Sequence, residues 1–228
     1  MNLLQMTQRL YRETGKSGDG PTTLVDATKV IQRLVDAISD SWMALQQEHG
    51  KNWKWMRQSA SAETIPSTNA HSASDLLVTS FTRWRPVSHK YTVRAYDTAD
   101  TTNVWDLYWL EIDAFKRYYV DNATTEAAPT SWSIDDMDRL MVGPAGDVAY
   151  GLKFDYVTAP TELLLDDDEP GMPSRHHMIL VWRALIDAGK DVASAEKVSR
   201  AIDRYNEMRS ALIADQAEQI QMNFPPLA

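Results

Sequence analysis

The chain contains no cysteine. Disulfide staples, thiolate nucleophiles and Cys-based zinc sites are therefore excluded, and any catalysis would rest on other side chains. Long apolar runs are also missing, with none approaching the roughly 18 residues needed to cross a bilayer. The opening Met-Asn-Leu-Leu-Gln-Met-Thr-Gln-Arg-Leu lacks the uninterrupted apolar segment and small-residue cleavage site of a signal peptide. A protein kept in a cytosol-like compartment, away from membranes, is the expectation. Positive charge is short as well. Lys and Arg number 23 against 32 Asp and Glu, a formal charge of -9, which argues against a general nucleic-acid-binding surface, since such surfaces neutralise phosphates. A surface that DNA merely passes is still allowed.

What is present is ordinary for a globular chain: 228 residues, 43% hydrophobic and 24% charged, enough for one generous core or a principal domain with an inserted layer. Leu3, Leu4, Met6 and Leu10 recur at helical spacing, so residues 2–13 read as a helix ended by Gly15 and Gly18. Gly15-Lys16-Ser17 resembles the end of a phosphate-binding loop, but the glycine needed five residues earlier is Leu10. A turn between helices fits better. Thr22 or Thr23 is placed to cap a long helix over 24–49, with Asp26 near its N-terminus and Gly50 stopping it. Trp53-Lys54-Trp55-Met56 suits a strand or hinge. Residues 58–75, small and polar without a period, read as a long exposed loop.

Strands are expected at 77–85, 89–96 and 104–112, then a helical turn or two over 113–119 and a three-stranded meander from Ser131 to Val157. In the acidic segment that follows, Ser174 is the natural cap of the next helix, with Asp166, Asp167, Asp168 and Glu169 near its positive end. That helix carries Met178, Ile179, Val181, Trp182, Leu185 and Ile186 and ends near Gly189. A last helix spans 194–219, and Pro225 and Pro226 prevent its continuation.

Helices at both ends and alternating sequence between them predict an α+β fold: a bundle of N- and C-terminal helices with an inserted, mostly antiparallel β region. The expected parts are 1–57 and 163–218 for the bundle, 58–162 for the polar loop and β region, and an extended arm over 219–228. Bundle-core positions are Ile31, Leu34, Ile38, Trp42 and Leu45, then Ile179, Trp182, Leu185, Val198, Ile202, Tyr205 and Leu212.

The aspartates with His176 and His177 invite a metal reading, but adjacent helical histidines point about 100° apart and lack i, i+3 or i, i+4 spacing. A solvated capping loop is preferred. His49 and His89 have no neighbours resembling a nucleophile and base, and His71 lies in the polar stretch; no Gly-x-Ser-x-Gly elbow occurs. No catalytic residue, metal site or cofactor is assigned. Trp42 and Trp182 belong to core faces, and Trp105 and Trp109 pack inward, whereas Trp84 and Trp132 are candidates for an exposed interface. Ile220, Met222, Phe224, Pro225, Pro226 and Leu227 are apolar residues beyond the last helix. Such an arm docks on a partner or folds back on its own domain.

Several stretches in order carry a resemblance: Arg9-Leu-Tyr-Arg-Glu-Thr-Gly-Lys-Ser-Gly-Asp-Gly-Pro21 opening on a long helix, Trp42, Trp53-Lys-Trp-Met56, Asp138-Arg-Leu-Met-Val-Gly-Pro144, Tyr156 to Leu163, Pro173 and the Val181-Trp-Arg-Ala-Leu185 helix. Over roughly its full length the chain resembles the head-to-tail adaptor proteins of tailed bacteriophages, also called connector or head-completion proteins. The resemblance implies a non-enzymatic ring, commonly of twelve copies, below the portal protein, continuing its DNA channel toward a downstream tail or nozzle protein. It places the protein in the virion neck, assembled in the host bacterial cytoplasm. It makes the six apolar arm residues portal-docking candidates and assigns tail contact to residues 58–75 or a tip of the β region. Another neck or tail-completion part is the alternative, and behind it a small hydrolase with a dispersed site.

Overall fold

A computed structural model describes residues 1–18, 20–25, 27–48, 53–85, 93–122 and 125–217, apart from the side chains of 189–192. In chain order the elements are α1 (Leu3–Glu13), α2 (Lys29–Gln46), β1 (Arg57–Glu63), β2 (Ala70–His71), β3 (Arg83–Trp84), β4 (Val93–Asp97), β5 (Val104–Asp106), β6 (Tyr108–Trp109), α3 (Ile112–Phe115), β7 (Ser131–Ile134), β8 (Leu140–Gly143), β9 (Tyr150–Val157), α4 (Met178–Val192) and α5 (Ala195–Gln216). The fold is α+β. The chain forms two compact units, one of Met1–Met56 with Pro160–Ala228 and one of Arg57–Ala159.

The first unit is helical. Asn2 and Gln5 form a reciprocal capping box at the start of α1, which buries Leu3, Met6, Thr7 and Leu10. α2 buries Leu34, Val35, Ile38, Trp42 and Leu45, while Ile31 is half-buried. α4 contributes Ile179, Leu180, Val181, Trp182, Ala184 and Leu185. Its helical backbone runs through Gly189 to Val192, beyond the expected stop. On α5 the buried positions are Ala201, Leu212 and Gln216, with Val198 and Tyr205 half-buried. Ile202 is 42% exposed and lies outside the expected core, because the buried row is centred one residue earlier, on Ala201.

α2 begins at Lys29, five residues later than Leu24, with Thr28 rather than Thr22 or Thr23 at its N-cap. The cause is a competing long-range bond. The Thr23 hydroxyl and the Leu24 N–H both donate to Asp166, at 2.8 and 3.1 Å, which holds these residues out of the helix. Trp53 to Met56 forms neither strand nor extended hinge, because Lys54–Met56 is a 3-10 turn. Trp53 is buried, donates to the Leu45 carbonyl at 2.8 Å and stacks on Trp55 at 4.6 Å. Asp26, His49 and Gly50 lie outside the described residues.

The second unit is built on two sheets. One has the order β1-β9-β4-β5 with β3 also on β9, and the other β2-β8-β7-β6, in which only β6–β7 is parallel. Ala62, Trp84, Val93, Ala95, Leu152 and Phe154 from the first meet Trp132, Leu140 and Val142 from the second in one core. Phe115 on α3 and Tyr119 in the wide helical turn 116–120 lie against Gly143 on the second sheet. A Cβ on Gly143 would come within 2.6 Å of the Tyr119 ring, so only glycine permits that approach.

Several expectations are corrected here. Residues 58–75 are not a loop: they supply most of β1, which pairs with β9 from Arg57↔Val157 to Glu63↔Gly151, and β2, which pairs with β8. Over 77–85 only Arg83–Trp84 is strand. The 104–112 stretch divides between the two sheets and enters α3 at Ile112. The region 131–157 is not one meander, since β7 and β8 form a hairpin while β9 belongs to the other sheet. Trp84 and Trp132 are buried rather than exposed, Trp84 donating to the Asp138 carbonyl at 2.7 Å. Of the 89–96 strand, the described part begins at Val93, and His89 lies outside the described residues.

Candidate functional site

The acidic segment is organised by α1 rather than by α4. The first N–H groups of a helix lack intrahelical partners, and in α1 Leu3 and Leu4 donate theirs to the backbone carbonyls of Asp168 and Asp166, at 2.9 and 3.1 Å. Asn2 donates to Asp167 at 3.2 Å, and the Met1 amino group lies 3.7 Å from Glu169. The Asp168 carboxylate turns back to accept from Leu164 and Leu165, both at 2.7 Å. Those two backbone bonds pull its pKa below the ordinary carboxylate value. The expectation that Ser174 caps α4 is corrected. Ser174–His176 is itself a 3-10 turn with Pro173 at its N-cap, and α4 begins only at Met178, so Ser174 does not stand at the N-cap of α4.

His176 and His177 serve different neighbours. His176 is buried and its Nε2 lies 2.8 Å from Asp215 on α5. His177 is buried too, with Nε2 2.9 Å from the Met172 carbonyl and Nδ1 2.8 Å from the Met1 amino nitrogen. Nδ1 also lies 3.0 Å from the Met1 carbonyl, so one ring nitrogen faces the chain start and the other faces Met172. The pair thus ties the chain start and the end of α5 to one turn. Asp215 is the hub of the second tie: Arg175 also pairs with it, Gln216 donates at 3.1 Å, and Lys54 donates to its backbone carbonyl at 2.7 Å. Hydrogen bonds from His176, Gln216 and Arg175 drive the Asp215 pKa far below the usual range. Among the described residues no group of three or more His, Cys, Asp or Glu could hold a metal ion.

Beside these ties runs an apolar groove of about 480 Å³ lined by Leu24, Val25, Leu164, Leu165 and Asp166 to Asp168. Leu164 and Leu165 are about 70% exposed there (71% and 69%), an arrangement that marks contact surfaces more often than monomer surfaces. In the second unit, Leu77 at 83% and Met137 at 75% are exposed on turns, Leu77 with a left-handed φ of 57°. Sequence periodicity gave no sign of either feature, because both lie in irregular backbone. The arm residues Ile220, Met222, Phe224, Pro225, Pro226 and Leu227 lie outside the described residues. What the described part supplies is the root of that arm, fixed at Asp215 and Gln216.

Among the described residues the arrangement offers exposed surfaces and buried ties. Among the described residues no helix is long and apolar enough to cross a membrane. A family model described as "SU10 adaptor protein" matches residues 1–227. No curated protein matches the chain.

Proposed function

Because the chain belongs to the SU10 adaptor protein family, we propose that it is the head-to-tail adaptor of a tailed bacteriophage, a ring of copies, commonly twelve, seated beneath the portal. The family match is the observation that carries this reading, since it spans both the helical and the β unit. The ring extends the DNA channel and presents the docking surface for the next tail or nozzle protein. Its role is structural, with no reaction assigned, and its place is the virion neck after assembly in the host cytoplasm. The formal charge of -9 suits a channel that repels DNA rather than holding it.

Two kinds of contact are assigned. The arm with Ile220, Met222, Phe224, Pro225, Pro226 and Leu227 docks on the portal, and the exposed Leu77 and Met137 turns face the tail component. The decisive experiment mixes purified chain with its cognate portal and weighs the products by native mass spectrometry. A discrete ring that forms only on the portal is expected. Tubes formed by the chain alone would assign it instead to the tail. Removing Gln219 to Ala228 is expected to abolish portal binding while the fold survives; unchanged affinity would exclude the arm as the docking element.

A further inference from the structure

β1 is a seven-residue edge strand. Thr64 donates its N–H to Tyr150 across the same pairing, which fixes the alternation: Gln58, Ala60 and Ala62 direct their backbone groups to β9, and Ser59, Ser61 and Glu63 direct theirs outward. No described strand pairs with that outer edge. Natural edges are normally blunted by proline, lysine, bulges or brevity. β1 has no proline or lysine, its register with β9 runs unbroken, and its charges sit only at the ends. The other outermost strands, β5, β2 and β6, have three, two and two residues. A long unguarded edge is a template for an added strand.

The chain itself contains a segment of matching design. Beyond α5, Gln219-Ile-Gln-Met-Asn-Phe224 alternates polar and apolar residues over six positions against the seven of β1, and Pro225-Pro226 would end any strand there. On β1 the small Ala60 and Ala62 face the core and Ser59 and Ser61 face solvent. A strand laid alongside would set Ile220, Met222 and Phe224 next to the alanines, continuing the apolar face beyond β1. Gln219, Gln221 and Asn223 would join the serines on the polar face.

We infer that residues 219–224 of one copy add as a strand to the outer edge of β1 in a second copy, linking neighbours in the assembly. This rests on the reading of the protein as a ring. It narrows the portal contact proposed above for the whole arm to Pro225, Pro226 and Leu227, and gives Ile220, Met222 and Phe224 to the neighbouring copy.

The absence of native cysteine makes the test clean. Ser59→Cys and Ser61→Cys proteins are each mixed on portal rings with Gln219→Cys, Gln221→Cys or Asn223→Cys protein, oxidised mildly, and read on non-reducing gels with peptide mapping. At least one pairing should give about tenfold more intermolecular disulfide than a Leu77→Cys control, because pairing raises effective concentration. Ser61→Pro removes an outward N–H without touching the β9 ladder. It should return the Ser59→Cys cross-link to the control level while the circular dichroism of the free chain is unchanged. No excess over control, or a cross-link indifferent to Ser61→Pro, would each overturn the inference. Native mass of the same mixtures reports separately on the ring: rings without the cross-link refute the strand exchange alone, and no rings refute the reading beneath it.

Discussion

His71 shows what one residue can decide. It stands at the end of β2 with its side chain buried, and neither ring nitrogen makes a well-formed hydrogen bond, the Thr68 backbone offering only a weak one. Desolvation lowers its pKa, against the opposing pull of Asp75 and of the Thr68 backbone. The native state therefore holds the ring neutral, while the unfolded chain gains a proton below about 6.5. Stability contributed in this way is complete above pH 6.5 and lost as pH falls from there toward the folded pKa. His71→Leu should abolish that loss, so urea unfolding at pH 7 and pH 5 should show the wild type weakening relative to the variant by at most about 1.4 kcal/mol per pH unit. Parallel pH curves would remove His71 as the cause. Asp215 works with the opposite sign. Its depressed pKa means stability present above the ordinary carboxylate value and lost as pH falls through the folded value. Asp215→Asn should lower Tm at pH 7, and the gap to wild type should close on acidification below about pH 4. A gap that persists unchanged at pH 2.5 would mean that its charge is irrelevant to the tie.

At the scale of elements, the helices were legible because their burial repeats every three or four residues, as Leu34, Ile38, Trp42 and Leu45 do. β1 was not, since Arg-Gln-Ser-Ala-Ser-Ala-Glu has no β-branched or aromatic residue and owes its strand to β9. The start of α2 was misplaced by bonds from Asp166, 140 or so positions away, that no local pattern encodes. The acidic residues do cap a helix, but it is α1 rather than the α4 that proximity in sequence favoured, and His176 and His177 are buried ties rather than part of a solvated cap. Gln46 illustrates the same dependence on distant partners. At the end of α2 its amide donates to the Thr161 carbonyl at 2.8 Å and accepts from the Thr161 N–H at 3.0 Å. It thereby pins the chain where it re-enters the helical unit. Gln46→Ala leaves both backbone groups unpaired and should cost about 2 kcal/mol in denaturant unfolding. Gln46→Glu, which can still accept but sets a carboxylate against the carbonyl, should recover only part of it. A cost below about 0.5 kcal/mol for Gln46→Ala would show that water replaces the clamp.

For the molecule as a whole, the informative fact is that the β unit is one uninterrupted stretch, Arg57–Ala159, while the helical unit is assembled from the segments on either side. The stretch begins with β1 and ends just after β9, and Arg57 and Val157 are register partners in that antiparallel ladder. Paired residues in such a ladder have Cα atoms about 5 Å apart. The entry and exit of the insertion are therefore neighbours, which is the condition under which one domain can be inserted into another without stretching the host. Two consequences follow from that geometry. Residues 57–159 expressed alone should fold cooperatively around the core of Trp84, Leu140, Leu152 and Phe154 and give a β-type spectrum. Replacing the same residues by a short Gly-Ser linker of about four residues should leave a helical protein in which His176 still contacts Asp215, because a linker of that length spans the gap with slack. The His176 tie is readable by NMR as an imidazole that loses its Asp215 partner in an Asp215→Asn version of the minimal chain. Failure of the linker protein to fold, with the β fragment folding normally, would mean that the helical unit depends on the insertion for more than connection.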